Sequence, residues 1–180
     1  MKFSIGIMQG RLVDREIKSR LQSFPWRYWR KEIKLANKNK IKFLEWTLDY
    51  NNFDHNPLIK RPKKVFKYLK QNKVQVKTVT ADFFMQKPPF LINNKTSHYL
   101  KKLIEIANNV GIKYIIVPLV DNSSIKKYKQ KQILDYFRSL QKNTKFKKVK
   151  ILFELDLSPT KLLKFINKHL FFNIEYSSIL

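Results

Sequence analysis

Residues 114–121 read Tyr-Ile-Ile-Val-Pro-Leu-Val-Asp, an almost unbroken apolar run that stops at an acidic side chain. A strand that is apolar at nearly every position is typical of a parallel sheet covered on both faces, and branched residues such as Ile and Val favour the extended conformation. The run therefore predicts a buried parallel strand with a carboxylate at its carboxyl end.

Three further runs are built in the same way. They read Ile-Lys-Phe-Leu-Glu at 41–45, Val-Lys-Thr-Val-Thr-Ala-Asp at 76–82 and Val-Lys-Ile-Leu-Phe-Glu at 149–154. Parallel strands end along one rim of their sheet, and ligand sites of α/β proteins are built at that rim. The pattern predicts five carboxylates at such a rim: Glu45, Asp82, Asp121, Glu154 and the nearby Asp156.

Helical patterns separate the strand-like segments. Strands are predicted at 3–8, 41–46, 74–80, 113–118 and 149–154, with a weaker one at 172–176, and helices at 26–39, 63–71, 96–110, 125–140 and 160–169. Strict alternation predicts βαβ crossovers and parallel pairing. A complete (β/α) barrel has eight such units in roughly 250 residues. We therefore expect an α/β fold, an incomplete (β/α) TIM-type barrel of about five to six parallel strands with outer helices, with residues 1–180 forming a single partial domain that lacks the last units.

A doubly wound open sheet is the alternative architecture, since six strands would complete it. The chain has only three glycines, Gly6, Gly10 and Gly111. No glycine-rich phosphate loop of the Rossmann or P-loop kind can be written with them, which argues against nucleotide binding by those routes.

The composition favours a globular protein of a reducing compartment. The 180 residues are 43% hydrophobic and include no cysteine, so neither disulfides nor thiolate metal sites can form. The longest apolar run, at 112–120, is far shorter than the roughly 20 residues of a membrane span, and no secretory signal is visible. We expect a cytoplasmic protein with no membrane partner.

The formal charge of +25 raises the question of polyanion binding. Of the 38 basic residues 31 are lysines, spread through every predicted helix, whereas readers of nucleic acid rely on arginine. A solvated, lysine-decorated surface is the simpler interpretation, and nucleic acid is an unlikely partner on this pattern. A non-catalytic basic protein that binds nucleic acid or another polyanion stays open as the alternative function.

Six segments in order carry a resemblance to a known family. They are SIGIMQGRL (4–12), QSFPW (22–26), LEWTLD (44–49), VTADFFM (79–85), IVPLVDNSS (116–124) and FE (153–154). From residue 3 to about 176 the chain resembles bacterial sugar phosphate isomerase/epimerase proteins of the xylose isomerase-like TIM-barrel superfamily.

The resemblance implies an enzyme that moves a proton between adjacent carbons of a ketose or aldose through an enediolate, with a divalent metal such as Mn, Mg, Co or Zn. The family's first metal ligand, also its candidate catalytic base, is matched by Glu154. Glu45 matches the glutamate that lines the substrate pocket. Gln9 and Arg11 match the pocket floor and a possible phosphate contact, so that the expected partner is a small sugar or sugar phosphate.

Asp82 and Asp121 complete the predicted substrate-binding rim. Each has a structural alternative, because a strand-end carboxylate often caps a helix or pairs with a lysine. The segment Asp121-Asn122-Ser123-Ser124 in particular has the composition of a cap for the following helix. Asp156, just before Pro159, could act as a cap or support the site from behind.

The chain departs from the family pattern after the fifth strand. The aspartate that normally ends strand six is replaced by Ser177 or displaced, and the His and Glu of strands seven and eight are absent from this sequence. One carboxylate does not hold a divalent ion firmly. The resemblance therefore implies a truncated enzyme, weakly active or inactive alone, unless a second chain completes the barrel.

The histidines and the first helix offer little further chemistry. His98 and His169 fall within predicted helices, and only His55 lies on the side of the predicted site. In the aromatic and basic run at 26–31, Trp26 and Trp29 share one helical face with Ile33. That spacing favours core packing over nucleic-acid stacking.

Overall fold

A six-stranded parallel sheet forms the centre of the molecule. The computed structural model describes residues 6–14, 16, 22–91, 95–146, 148–169 and 175–176. The strands found there are β1 Gly6–Met8, β2 Phe43–Thr47, β3 Gln75–Thr80, β4 Tyr114–Leu119, β5 Lys150–Leu155 and β6 Glu175–Tyr176. Each strand pairs in parallel with its neighbour along the chain, in the order β1-β2-β3-β4-β5-β6. The first three residues of the predicted first and sixth strands, 3–5 and 172–174, lie outside these ranges.

Helices connect the strands. They are α1 Trp29–Lys38, α2 Pro57–Lys60, α3 Pro62–Gln71, α4 Phe83–Gln86, α5 Lys95–Val110, α6 Gln130–Asn143 and α7 Pro159–His169, with 3-10 turns at Phe53–His55 and Asp121–Ser123. The longest of them, α5, has 16 residues. Within the described ranges no helix is both long and apolar enough to cross a bilayer.

The sequential order of the strands is that of a (β/α) barrel which has not closed. Consecutive parallel strands with helical crossovers curve in one direction in such barrels. In the described residues β1 pairs only with β2, and β6 pairs only with β5. The expected incomplete TIM-type barrel is confirmed.

The apolar face of β2 shows how the helices cover the sheet. Leu44, Trp46 and Leu48 alternate along this segment, and each is at most 1% exposed. The Trp29 ring of α1 packs edge-on against Trp46 at 5.8 Å between centroids, while Ile33 is fully buried. The core-packing role predicted for the first helix is confirmed.

Two helix ends illustrate what the local sequence does and does not determine. Gly111 adopts a φ of +83°, and Ile112 N–H donates to the Ala107 carbonyl at 3.1 Å, so the glycine ends α5 as predicted. The helix expected from 125 begins instead at Gln130. The reason is a turn in which Lys127 N–H donates to the Ser124 carbonyl at 3.0 Å, followed by extended backbone at Lys129.

Candidate functional site

The carboxyl ends of β2 to β5 bring acidic side chains to one edge of the sheet. Glu45 lies in register between Met8 of β1 and Thr78 of β3, and Glu154 lies beside Pro118 of β4. The Glu45 carboxylate accepts a hydrogen bond from the Thr80 hydroxyl at 2.5 Å, two residues further along β3. Its side chain therefore points toward the carboxyl edge.

Electrostatic coupling places Glu45, Glu154 and Asp121 in one neighbourhood. Burial raises the pKa of Glu45, against the opposing effect of the Thr80 hydrogen bond. Burial also raises the pKa of Glu154, and the negative charges of Glu45 and Asp121 raise it further. Like charges near one another disfavour ionisation, so the three carboxyl groups act on one another in the same direction.

Asp82 is the most deeply buried member of this acidic group. Its side chain is 1% exposed and accepts two hydrogen bonds from the Gln22 amide, at 2.8 and 2.7 Å. Burial raises the pKa of Asp82 well above its usual range; the Gln22 bonds oppose the rise, and the charges of Asp49, Glu45 and Glu154 add to it. Although it precedes α4, it makes no capping bond to that helix. The capping alternative for Asp82 is therefore wrong.

Asp121 is exposed and forms the first residue of its 3-10 turn with a φ of +50°. Its side chain caps no helix, because α6 begins nine residues later at Gln130 without a side-chain cap. The predicted capping segment is wrong for this reason. Ser124 instead donates to the Asp156 carboxylate at 3.1 and 2.9 Å, and the Lys126 ammonium lies 3.1 Å from the same group. Asp156 thus ties the loop after β4 to the loop after β5.

Gln9 and Arg11 follow β1 at the same edge. Gln9 is 1% exposed; its backbone N–H donates to the Glu45 carbonyl at 2.9 Å, and its side-chain oxygen accepts from Thr47 N–H at 3.4 Å. The Gln9 amide nitrogen is buried and has no hydrogen-bond partner among the residues that the structure describes. Arg11 is exposed on the loop that follows. Gln9 therefore lines the floor of the edge, while Arg11 extends into solvent.

Sequence reasoning missed Glu32, which holds this loop in place. Glu32 lies in α1 with no exposed surface, and one carboxylate oxygen accepts from the N–H groups of Gly10 at 2.7 Å and Leu12 at 3.1 Å. Burial raises its pKa, and the backbone bonds from Leu12, Gly10 and Arg11 oppose the rise. A signal existed in the sequence, because Glu32 follows Trp29 by three residues on the apolar face of the helix.

Asp49, just beyond β2, is a second residue without a predicted role. It is 6% exposed and accepts from the Phe24 N–H at 2.9 Å and from the Gln86 amide at 3.4 Å. It therefore fixes the segment before α1 against the segment after β3. Both contacts join parts of the chain that are far apart in sequence, so no local sequence pattern predicts them.

The metal site expected at Glu154 is not formed by the part of the chain that the structure describes. No group of three or more His, Asp or Glu side chains there is arranged to hold a metal ion. Structural cation sites gather several such ligands around one ion. Ser177, the residue matched to the strand-six ligand, lies outside the described residues.

His98 and His55 do not lie at this edge. His98 is exposed on α5, and His55 lines a groove on the outside of the sheet beside Trp29 and Arg30. The side chain of His169 lies outside the described residues.

No protein-family model and no curated protein matches this sequence. Solved structures match its fold. A xylose isomerase domain protein from Planctomyces limnophilus superposes with a TM-score of 0.64 at 13% identity, covering 98% of this chain and 63% of that one. A xylose isomerase-like TIM barrel protein from Mycobacterium smegmatis, solved in complex with magnesium, gives 0.63 at 12% identity, covering 97% and 63%. A sugar phosphate isomerase/epimerase from Parabacteroides distasonis gives 0.51 at 14% identity, covering 83% and 50%.

The chain thus has the fold of the xylose isomerase-like TIM barrels and spans about 63% of the length of the first two. At 12% to 13% identity this likeness concerns the fold alone.

Proposed function

We propose that this chain supplies the acidic part of a sugar isomerase/epimerase site, which binds a small sugar or sugar phosphate at the carboxyl edge of the sheet and moves a proton between adjacent carbons. The observation that carries the proposal is the position of Glu45 and Glu154, which lie toward the carboxyl ends of β2 and β5 in one parallel sheet. Burial raises the pKa of Glu154, and the charge of Glu45 adds to the rise. Two neighbouring carboxyl groups whose pKa values are both raised can divide the roles of acid and base between them.

The proposed reaction uses both members of this pair. The Glu154 carboxylate takes the proton from the carbon next to the substrate carbonyl, and the electron pair of that C–H bond moves into an enediolate. Protonated Glu45, whose carboxyl group is held by Thr80, donates a hydrogen bond to the developing oxyanion. Glu154 then returns the proton to the neighbouring carbon while the hydroxyl proton of the enediolate passes to the oxygen on that carbon, which gives the isomer. Protonation of the original carbon on its opposite face, which gives the epimer, needs a second proton donor on that face.

The remaining predicted substrate residues divide by exposure. Arg11 and Asp121 are exposed, so we assign Arg11 to a substrate phosphate and Asp121 to substrate hydroxyl groups. Gln9 and Asp82 are each 1% exposed. We assign these two to the floor of the site, where they hold the acidic edge in place and contact substrate only from below.

Any use of a divalent metal requires ligands in addition to the described residues, so the proton transfer is assigned to carboxyl groups alone. Within the described part of the chain the outer edges of β1 and β6 have no partner strand, and further strands would add there. We propose that a second chain, or another part of a longer protein, completes the barrel there. On its own the chain is then expected to bind substrate weakly and to turn it over slowly or not at all.

Proton abstraction can be tested without full turnover. The purified chain is incubated in D₂O with a panel of ketoses, aldoses and their phosphates, and NMR follows deuterium uptake at the carbon next to the carbonyl. The proposal predicts slow uptake with at least one substrate, reduced at least about 100-fold in Glu154→Gln, because general-base catalysis contributes factors of about 10² to 10⁴.

The matched control is Glu105→Gln, which neutralises an exposed glutamate on α5. Its uptake rate is expected to equal that of the unmodified chain. Equal uptake in Glu154→Gln and Glu105→Gln would remove Glu154 from the reaction. If the panel shows no uptake, weak binding remains measurable by ligand-observed NMR, and its loss in Arg11→Ala or Glu45→Gln tests the binding part alone.

A further inference from the structure

A groove of about 580 Å³ lies on the outside of the sheet, between the start of α1 and the segment made by α2 and α3. Five of the residues that line it carry a positive charge, and none of its lining residues is acidic: the cations are Arg30, Lys60, Arg61, Lys64 and Lys67. All five side chains are exposed. The groove therefore concentrates one sign of charge, which attracts anions.

None of the ion pairs found among the described residues neutralises these cations. The ion pairs of the described residues join Lys102 to Asp54, Lys126 to Asp156 and Arg138 to Asp135, and none of them lies in the groove. Like charges one helical turn apart repel and destabilise a helix. The spacing of Lys60, Lys64 and Lys67 is consequently not explained by the stability of α2 and α3.

The wall of the groove is aromatic. The rings of Trp29 and Tyr68 meet edge-on at 5.8 Å, and both are half-buried. The Arg30 guanidinium lies 4.8 Å from the centre of the Trp29 ring, and the Tyr68 hydroxyl donates to the Arg30 carbonyl at 3.4 Å. Because Trp29 also packs on buried Trp46, the wall is held rigidly.

We infer that this groove binds single-stranded nucleic acid. Proteins that bind single strands without regard to sequence combine a row of cations along the phosphates with aromatic rings on which bases stack. Lysine side chains can make the phosphate contacts, because such contacts position the strand and do not distinguish its bases. A duplex offers no free base faces to the aromatic wall. This site is separate from the acidic edge, and its occupation does not depend on the function proposed above.

The test measures the anisotropy of a fluorescent 15-nucleotide oligo(dT) at several salt concentrations. The variant Lys60→Ala/Lys64→Ala/Lys67→Ala is expected to bind at least tenfold more weakly. A plot of the logarithm of its binding constant against the logarithm of the salt concentration should have a slope smaller in magnitude by about 2, because each lost phosphate contact with a single strand reduces the slope by about 0.7. The matched control, Lys127→Ala/Lys129→Ala/Lys131→Ala, removes the same exposed charge elsewhere and is expected to weaken binding less than threefold.

A second variant separates stacking from charge. Tyr68→Leu leaves the charge unchanged and is expected to weaken oligo(dT) binding about fivefold or more, with no effect on inorganic polyphosphate of similar length. Urea unfolding of each variant confirms that it is folded. Equal losses in the two lysine variants would show that only the overall charge acts, and would overturn the inference. The inference would also be overturned if polyphosphate or duplex DNA bound as tightly as oligo(dT) and Tyr68→Leu had no effect on oligo(dT) binding. The groove would then bind anions in general.

Discussion

The buried carboxyl group of Asp82 predicts an unusual dependence of stability on pH. Replacement by Asn keeps the shape of the side chain and removes the ionisation. The Gln22 amide donates to both carboxylate oxygens of Asp82, whereas an Asn side chain has an oxygen at only one of these positions and an N–H₂ donor at the other, so one of the two hydrogen bonds is lost. The loss of one hydrogen bond costs about 1 kcal/mol.

The direction of the pH effect follows from the raised pKa of Asp82. When the pKa of an acid is higher in the folded state than in the unfolded state, the folded state binds more protons between the two values. The free energy of unfolding therefore falls as the pH rises through that window, by about 1.4 kcal/mol for each unit between the two pKa values. The stabilising contribution of protonated Asp82 is complete below the pKa of the unfolded state, about 4, and is lost at higher pH.

Asp82→Asn is thus expected to be about 1 kcal/mol less stable than the unmodified chain at pH 4. As the pH rises toward 8, this difference in the free energy of unfolding should become smaller and then change sign, because the ionised Asp82 destabilises the unmodified chain and the variant has no ionisable group there. Urea unfolding followed by tryptophan fluorescence at constant ionic strength measures it. The control is Asp54→Asn. The hydrogen bond from Lys102 lowers the pKa of Asp54, so its contribution to stability is lost only as the pH falls below about 4 and should change little between pH 4 and 8. A difference for Asp82→Asn that stays constant between pH 4 and 8 would refute the burial and coupling of this carboxyl group.

Two further substitutions test the loop after β1. Glu32→Ala is expected to lower the free energy of unfolding by about 2 to 5 kcal/mol in urea unfolding, because two buried N–H groups, of Gly10 and Leu12, lose their acceptor; an effect below about 1 kcal/mol would contradict this role. Gly10→Ala is expected to lower the free energy of unfolding more than Gly111→Ala does in the same assay. Both glycines have a positive φ, but only at Gly10 does a new Cβ meet an atom, the Ser23 carbonyl oxygen at 2.9 Å. Equal losses at the two glycines would show that the close approach to Ser23 is absent.

The sequence was sufficient for the parallel sheet. The strand predicted at 149–154 is found at 150–155, and that predicted at 113–118 is found at 114–119, because apolar runs mark buried strands clearly. Helix starts were less predictable. The start of α6 depends on a turn at Ser124 whose side chain bonds to Asp156, 32 residues away.

The acidic edge could be predicted, since parallel strands that end in carboxylates must bring them to one side. The residues that hold the edge could not all be found. Gln22 and Asp49 act through contacts across 60 and 25 residues, to Asp82 and Phe24, which no local pattern encodes. Glu32 was visible as an acid on the apolar face of α1, but its partners were not.

Direct titration of Glu154 tests the central claim, that Glu45 and Glu154 share one acidic edge. Carboxyl carbons of ¹³C-labelled glutamate are followed by NMR across the acidic pH range, with Glu154→Gln identifying the resonance and Glu105→Gln as the control. The pKa of Glu154 should lie above its ordinary value, because of burial and the charges of Glu45 and Asp121, and should fall in Glu45→Gln. An ordinary pKa of Glu154 that does not change in Glu45→Gln would contradict the account.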